Sequence, residues 1–272
     1  MTWTALRVTP DANRDGVIAA LFACGSQGVQ EDGATLVTHF PADAAVDEIR
    51  AAVLAADSHA SVDVSDAPAT DYSEWRASVS AHRVGNLVIS PPWLAAGYDS
   101  AATIVVDPAM AFGTGEHATT RGVIRLMQGV VRAGDVVADL GAGSAVLSIA
   151  AAKLGASRVA AIEIDHDAIG NAEENLRANG VEDRVEVIEG DAVTLLPLLA
   201  PVRLILANII SSVITPLLPS MRAALSADGQ AILSGILGEE REKMAAALVA
   251  GGWAIEREDT EDGWWSVQIA PR

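Results

Sequence analysis

The chain has 272 residues, 50% hydrophobic, 20% charged and only 4% aromatic, a composition that supports an alanine- and valine-rich packed core and argues against disorder. Its 36 acidic and 18 basic side chains leave a formal net charge of −18, a surface that repels phosphate backbones and favours a basic partner such as a lysine-rich protein. The lone cysteine, Cys24, excludes an internal disulfide and a cysteine metal cluster, and "MTWTALRVTP" lacks a basic start followed by an apolar core, so the expected compartment is the cytoplasm.

Residues 1–66 read as a small α+β unit. "WTALRVT" alternates as a strand, and "DANRDGVIAALFACG" has helical apolar spacing with Gly25 as its stop. "QGVQEDGATLVTHF" gives two strands turning at Glu31-Asp32-Gly33, "DAAVDEIRAAVLAAD" a second amphipathic helix, and "ASVDVS" a closing strand. Strand–helix–strand–strand–helix–strand is the order of a ferredoxin-like domain. The unit carries ten acidic residues against three basic ones, Arg7, Arg14 and Arg50.

Residues 67–97, with their Pro and Ala content and uncertain periodicity, read as a linker. Over 98–272 the strands "TIVVD", "DVVADL", "SRVAAIEI", "RVEVIEG", "VRLILAN" and "GQAILSG" alternate with helical patterns, which predicts an α/β fold with a parallel sheet covered on both faces. The longest uncharged run, Leu204 to Met221, contains Asn208, Ser211, Ser212, Pro216 and Pro219. It reads as a strand, a loop and a helix, so no membrane partner is expected. "WAIEREDTEDGWWSVQIA" closes the chain as an antiparallel hairpin turning at Asp262-Gly263. A parallel sheet finished by such a hairpin is the seven-strand, Rossmann-like pattern of class I S-adenosylmethionine-dependent methyltransferases.

The chemistry concentrates at strand ends. Gly141 and Gly143 sit where a strand turns into a helix, so the backbone can approach a ligand and the helix offers free N–H groups. A tight turn alone would also use such glycines. Val146 occupies the place of the third dinucleotide glycine, and no Gly-Lys-Ser/Thr follows. Asp139, just ahead, would repel a pyrophosphate but suits the amino end of an amino-acid-bearing cofactor. Glu163, at the end of the next strand, can accept two hydrogen bonds from a ribose diol. Its rival Asp165 reads as a helix cap, and Asp191 after the third strand suits an adenine amino group. Asn208 is followed by Ile209-Ile210-Ser211 rather than Pro-Pro-Tyr. The missing aromatic disfavours a flat substrate and favours a flexible alkyl amine, which Asn208 would orient as the catalytic residue.

"WRASVSAHRVGNLVISPPW", "DPAMAFGTGEHATT", "VADLGAGSAVLSIAAAKLGA", "LILANIIS" and "LSGIL" resemble the PrmA family over essentially the whole chain. These are bacterial methyltransferases that modify lysines and the N-terminal amine of ribosomal protein L-eleven. The resemblance implies S-adenosylmethionine as cofactor, Phe112 lying against it, and Gly113 to Gly115 letting a mobile loop close over it. It also places Thr120, Gly141, Glu163 and Asn208 on cofactor-binding positions, and makes the small N-terminal domain the binder of the ribosomal protein. The family usually has Thr-His-Pro-Thr-Thr where this chain has Glu116-His117-Ala118-Thr119-Thr120. Alternatives are a lysine methyltransferase with a non-ribosomal substrate, a small-molecule methyltransferase on the same fold, and a non-catalytic cofactor-binding protein.

Overall fold

A computed structural model describes residues 3–26, 28–41, 44–66, 79–107 and 117–272. The chain divides into two compact units, Met1–Ser78 and Val79–Arg272.

The first unit runs β1 (Trp3–Thr9), α1 (Arg14–Ala23), β2 (Gln30–Asp32), β3 (Thr35–Pro41), α2 (Val46–Ala56) and β4 (Ser61–Asp66). The sheet order is β2-β3-β1-β4, antiparallel throughout. Leu6, Val8, Leu36 and Phe40 on the strands bury against Val17, Leu21, Ile49 and Val53 on the helices. A carboxylate ties this core's loops together. Asp57, just past α2, accepts hydrogen bonds from the backbone N–H groups of Asp11, Ala12 and Asn13 at 2.9, 2.8 and 2.9 Å. The Asn13 bond, followed by that of Ala12, holds its carboxyl down at about 2. Asn13 in turn caps α1 by accepting from the Gly16 N–H.

The second unit begins with an element that the sequence does not announce. Residues 67–78 of the expected linker lie outside the described residues, but 79–97 count with the second unit. They form β5 (His82–Val84), β6 (Leu87–Ser90) and the short α3 (Pro92–Ala95). All four residues of β6 are buried, so this stretch contributes core rather than tether. Strand β7 (Thr103–Val105) also departs from expectation. It pairs parallel to β6 in a three-stranded sheet, β5-β6-β7, instead of joining the main sheet. The physical reason is local: Val105 spends its N–H and C=O on the side-chain amide of Asn179 rather than on a further strand.

From there the chain alternates: α4 (Ala118–Met127), β8 (Val136–Leu140), α5 (Val146–Lys153), β9 (Arg158–Glu163), α6 (His166–Asn179), β10 (Val185–Glu189), α7 (Ala192–Leu195), β11 (Val202–Asn208), α8 (Ser211–Ala224), β12 (Leu225–Leu237), α9 (Arg241–Ala250), β13 (Trp253–Glu261) and β14 (Trp264–Pro271). The seven strands order as β10-β9-β8-β11-β12-β14-β13. The first five are parallel, and the C-terminal hairpin adds β14 antiparallel to β12. One face is covered by α4, α5 and α6 through residues such as Ile124, Ile149 and Leu176. The other is covered by α8 and α9 through Ile214, Met221 and Leu248. Among the described residues no helix is long and apolar enough to cross a membrane.

Candidate active site

The strand order reverses between β8 and β11, which makes their carboxyl ends the crevice where an open α/β sheet takes its ligand. Several of the described residues expected to carry chemistry lie at these strand ends. Leu140 at the end of β8 lies opposite Ile162 of β9 and Ala207 of β11, so Asp139, Glu163 and Asn208 stand at three adjacent strand ends.

The loop leaving β8 is drawn onto β9. Gly141 and Ala142 both donate their N–H to the Ile162 carbonyl, at 2.9 and 3.0 Å, and Gly143 donates to Glu163 Oε2 at 2.8 Å. Gly141 has φ of 71°, and a Cβ there would overlap Ile209 Cγ2, so only glycine serves. Ala145 is left-handed with φ of 62° despite carrying a Cβ.

Asp139 is fully buried. Ser148 Oγ donates to its Oδ2 at 2.7 Å, while Oδ1 is buried without a hydrogen-bond partner. Burial lifts its carboxyl to about 7, against the lowering effect of Ser148 and with some help from the Glu163 charge. Glu163 is 8% exposed. Besides Gly143 on Oε2, its Oε1 accepts from the N–H groups of Ile164 and Asp165 at 2.8 and 2.9 Å. Asp165 itself caps α6.

At the end of β11, Asn208 donates through Nδ2 to Thr120 Oγ1 at 3.4 Å, and its Oδ1 is buried without a partner. Thr120 is fully buried in α4. His117 caps that helix, its Nδ1 lying 2.7 Å from Thr119 Oγ1, and its ring meets Trp264 edge-on at 4.9 Å. Those contacts give it a structural task. Asp191 follows β10, the neighbour of β9, and the intervening Gly190 N–H bonds to the Glu163 carbonyl at 2.8 Å; its own side chain is exposed and caps α7 through the Val193 N–H at 2.9 Å. Phe112 and Gly113 to Gly115 lie outside the described residues.

The donor set fits S-adenosylmethionine at its polar ends. The unpartnered Oδ1 of Asp139 offers a buried negative site for the α-ammonium group, since a buried polar atom without a partner is a place left for a ligand or water. A carboxylate has about four acceptor positions; three at Glu163 are taken by backbone N–H groups, so Oε2 retains room for one ribose hydroxyl. A cavity of about 730 Å³ lies elsewhere, between the end of α6 and the amino-terminal ends of β9 and β10, lined by residues including Arg158, Arg177 and Arg184. It is at the wrong end of the strands for this chemistry. Among the described residues no cluster of His, Cys, Asp or Glu could hold a metal ion.

Gly235 escaped the sequence reading. It sits at the bulge of β12 with φ of 78°, and a Cβ there would come within 2.5 Å of the Ile209 carbonyl oxygen. It therefore admits the backbone that follows Asn208. The available signal was a glycine inside a strand pattern, which marks a bulge or a close backbone approach.

The sequence matches the family described as Ribosomal protein L11 methyltransferase (PrmA) over residues 8–271. A protein named Ribosomal protein L11 methyltransferase from Exiguobacterium sp. is 42% identical over 164 residues, 60% of this chain and 52% of that protein. One of the same name from Pelotomaculum thermopropionicum is 39% identical over 200 residues, 73% of this chain and 64% of that one. The crystal structure of ribosomal protein L11 methylase from Lactobacillus delbrueckii subsp. bulgaricus matches with a TM-score of 0.63 at 30% identity, covering 71% of this chain and 100% of that chain. The chain thus spans 52% and 64% of the lengths of the two curated relatives. With buried carboxylates, glycine turn and terminal asparagine set around one crevice, and with the match running nearly end to end, the chain belongs to the ribosomal protein L11 methyltransferase (PrmA) family.

Proposed function

We propose that this chain transfers methyl groups from S-adenosylmethionine to lysine side-chain and N-terminal amines of a basic protein, ribosomal protein L11, in the cytoplasm. The observation that supports it best is the unpartnered side-chain amide oxygen, Oδ1, of Asn208 beside two buried carboxylates at adjacent strand ends. Asp139 faces the ammonium group, Glu163 takes a ribose hydroxyl, and Asn208 Oδ1 accepts an N–H of the incoming amine.

The cofactor supplies a methyl already activated on a sulfonium, so the chain must mainly orient a neutral amine. Such orientation is worth roughly 7–11 kcal/mol. A free lysine with pKa of about 10.4 costs about 4.6 kcal/mol to deprotonate at pH 7. Enclosure beside positive charge lowers that cost, and water can carry the proton away. Asn208 cannot act as a base, and none is required. Residues 1–66, with ten acidic and three basic side chains, dock the basic substrate by charge complementarity.

Incubation with methyl-labelled cofactor and undermethylated ribosomes tests this reading. Label in ribosomal protein L11, lost on deletion of residues 1–66 while cofactor affinity persists, is the expected result. Label in another protein or in a small molecule refutes the substrate, and cofactor binding without any transfer refutes the enzyme.

A further inference from the structure

Asn171, Asn175 and Asn179 stand four residues apart on α6 and so share one face of that helix. Asn179 forks onto Val105, accepting its N–H at 2.8 Å and donating to its carbonyl at 2.6 Å. Asn175, only 3% exposed, is more fully used. Its Oδ1 accepts from the Asp107 N–H at 3.2 Å, and its Nδ2 donates to the Ser144 carbonyl at 3.0 Å and to Asn171 Oδ1 at 3.2 Å. The orientation of this amide is fixed by its partners, because a flip would set donor against donor and acceptor against acceptor.

The Ser144 carbonyl belongs to the peptide joining Ser144 to Ala145. The N–H of that same peptide donates to the Ala142 carbonyl at 2.8 Å. Both ends of one peptide plane are therefore tied, and the tie holds Ala145 in its left-handed conformation at φ of 62°. A residue with a Cβ stays there only where the surroundings over-determine it. On one side of this peptide Gly143 donates to Glu163; on the other, Val146 opens α5.

We propose that Asn175 is a positioning residue for the cofactor site: its amide holds the Ser144–Ala145 peptide, sets the arc of 141–145 and the amino end of α5, and ties both to Asp107. This rests on the cofactor reading above, and Asn175 itself touches no reacting atom.

Calorimetric titration of the full chain with S-adenosylhomocysteine tests it. Asn175→Ala should weaken Kd by about tenfold or more at unchanged stoichiometry, the range seen when a group that orients a binding residue is removed. In turnover, KM for the cofactor should rise while KM for the protein substrate holds. A Kd equal to wild type overturns the proposal. So does a loss seen only as reduced stoichiometry, the mark of partial unfolding, or an equal loss in Asn179→Ala, which frees Val105 and the Asn175 backbone carbonyl but leaves the Ser144–Ala145 peptide tied. Should Asn175→Ala not fold, Asn175→Asp is titrated instead; it keeps the acceptor for Asp107, removes the donor to Ser144, and is read by the same criteria. Failure of the wild-type chain to bind would strike the cofactor reading itself, before any variant is compared.

Discussion

Replacing Asp139 with asparagine should make the protein more stable and a poorer binder at once. Asp139 is fully buried, and its carboxyl is lifted from 3.8 to about 7 chiefly by that burial. The folded chain thus holds the proton more tightly than the unfolded chain, so stability is greatest below 3.8 and falls as the pH rises to about 7. Above that window the ionised carboxylate opposes folding by up to about 4 kcal/mol. Asparagine keeps the shape and the acceptor for Ser148, but sets an N–H where Oδ1 now lacks a partner, which returns about 1–3 kcal/mol of destabilisation. The net expectation for Asp139→Asn at pH 8 is a gain of about 1–3 kcal/mol, or about 2–4 °C in Tm per kcal/mol. Toward pH 4, where the wild-type group is already neutral, the gain should reverse into a loss of about 1–3 kcal/mol, because the unpartnered N–H of the variant costs the same at every pH. Loss of the negative charge should meanwhile weaken cofactor binding by about 1.5–3 kcal/mol, the range for a hydrogen bond to a charged group. Thermal melts of both proteins from pH 4 to 8, with calorimetric titration at pH 8, measure the two effects. Parallel stability profiles, or unchanged affinity in the variant, would refute the reasoning.

Three other substitutions probe separate links. Asn208→Ala should lower turnover by about 100-fold through lost orientation, while Tm barely moves, since the side chain makes one long bond of 3.4 Å; steady-state kinetics and a melt decide it. Gly235→Ala should destabilise by about 2–5 kcal/mol, combining left-handed strain with overpacking against Ile209, read by denaturant unfolding. Asp57, held at about 2 by backbone N–H bonds, contributes stability above its ordinary 3.8 that is lost as pH falls through about 2. Asp57→Asn should therefore lower the melting temperature at pH 7 and flatten its decline between pH 4 and 2, as followed by circular dichroism.

What the sequence determined by itself is whatever lies in short windows. Period-two and period-3.6 patterns marked the strands and helices of the first unit and most of those from β7 onward in the second, because each side chain's burial there repeats along its own element. The glycine turn at Gly141 and Gly143, the carboxylate at Glu163 and the asparagine at Asn208 were legible for the same reason, each being tied to a strand end. The tertiary structure alone decided the rest. "TIVVD" reads as a strand, but its partner was settled by β6, and by Asn179 lying 74 residues away from Val105. "LSGIL" shows a glycine, but not that Ile209 packs upon it. Asp139 is legible as an acid just ahead of the glycine turn; that it is buried, half-partnered and hard to ionise depends on the low dielectric assembled around it by residues from several elements. Propensity and periodicity act between near neighbours, whereas burial, close approach and a shared hydrogen bond depend on which distant segments the folded chain brings together.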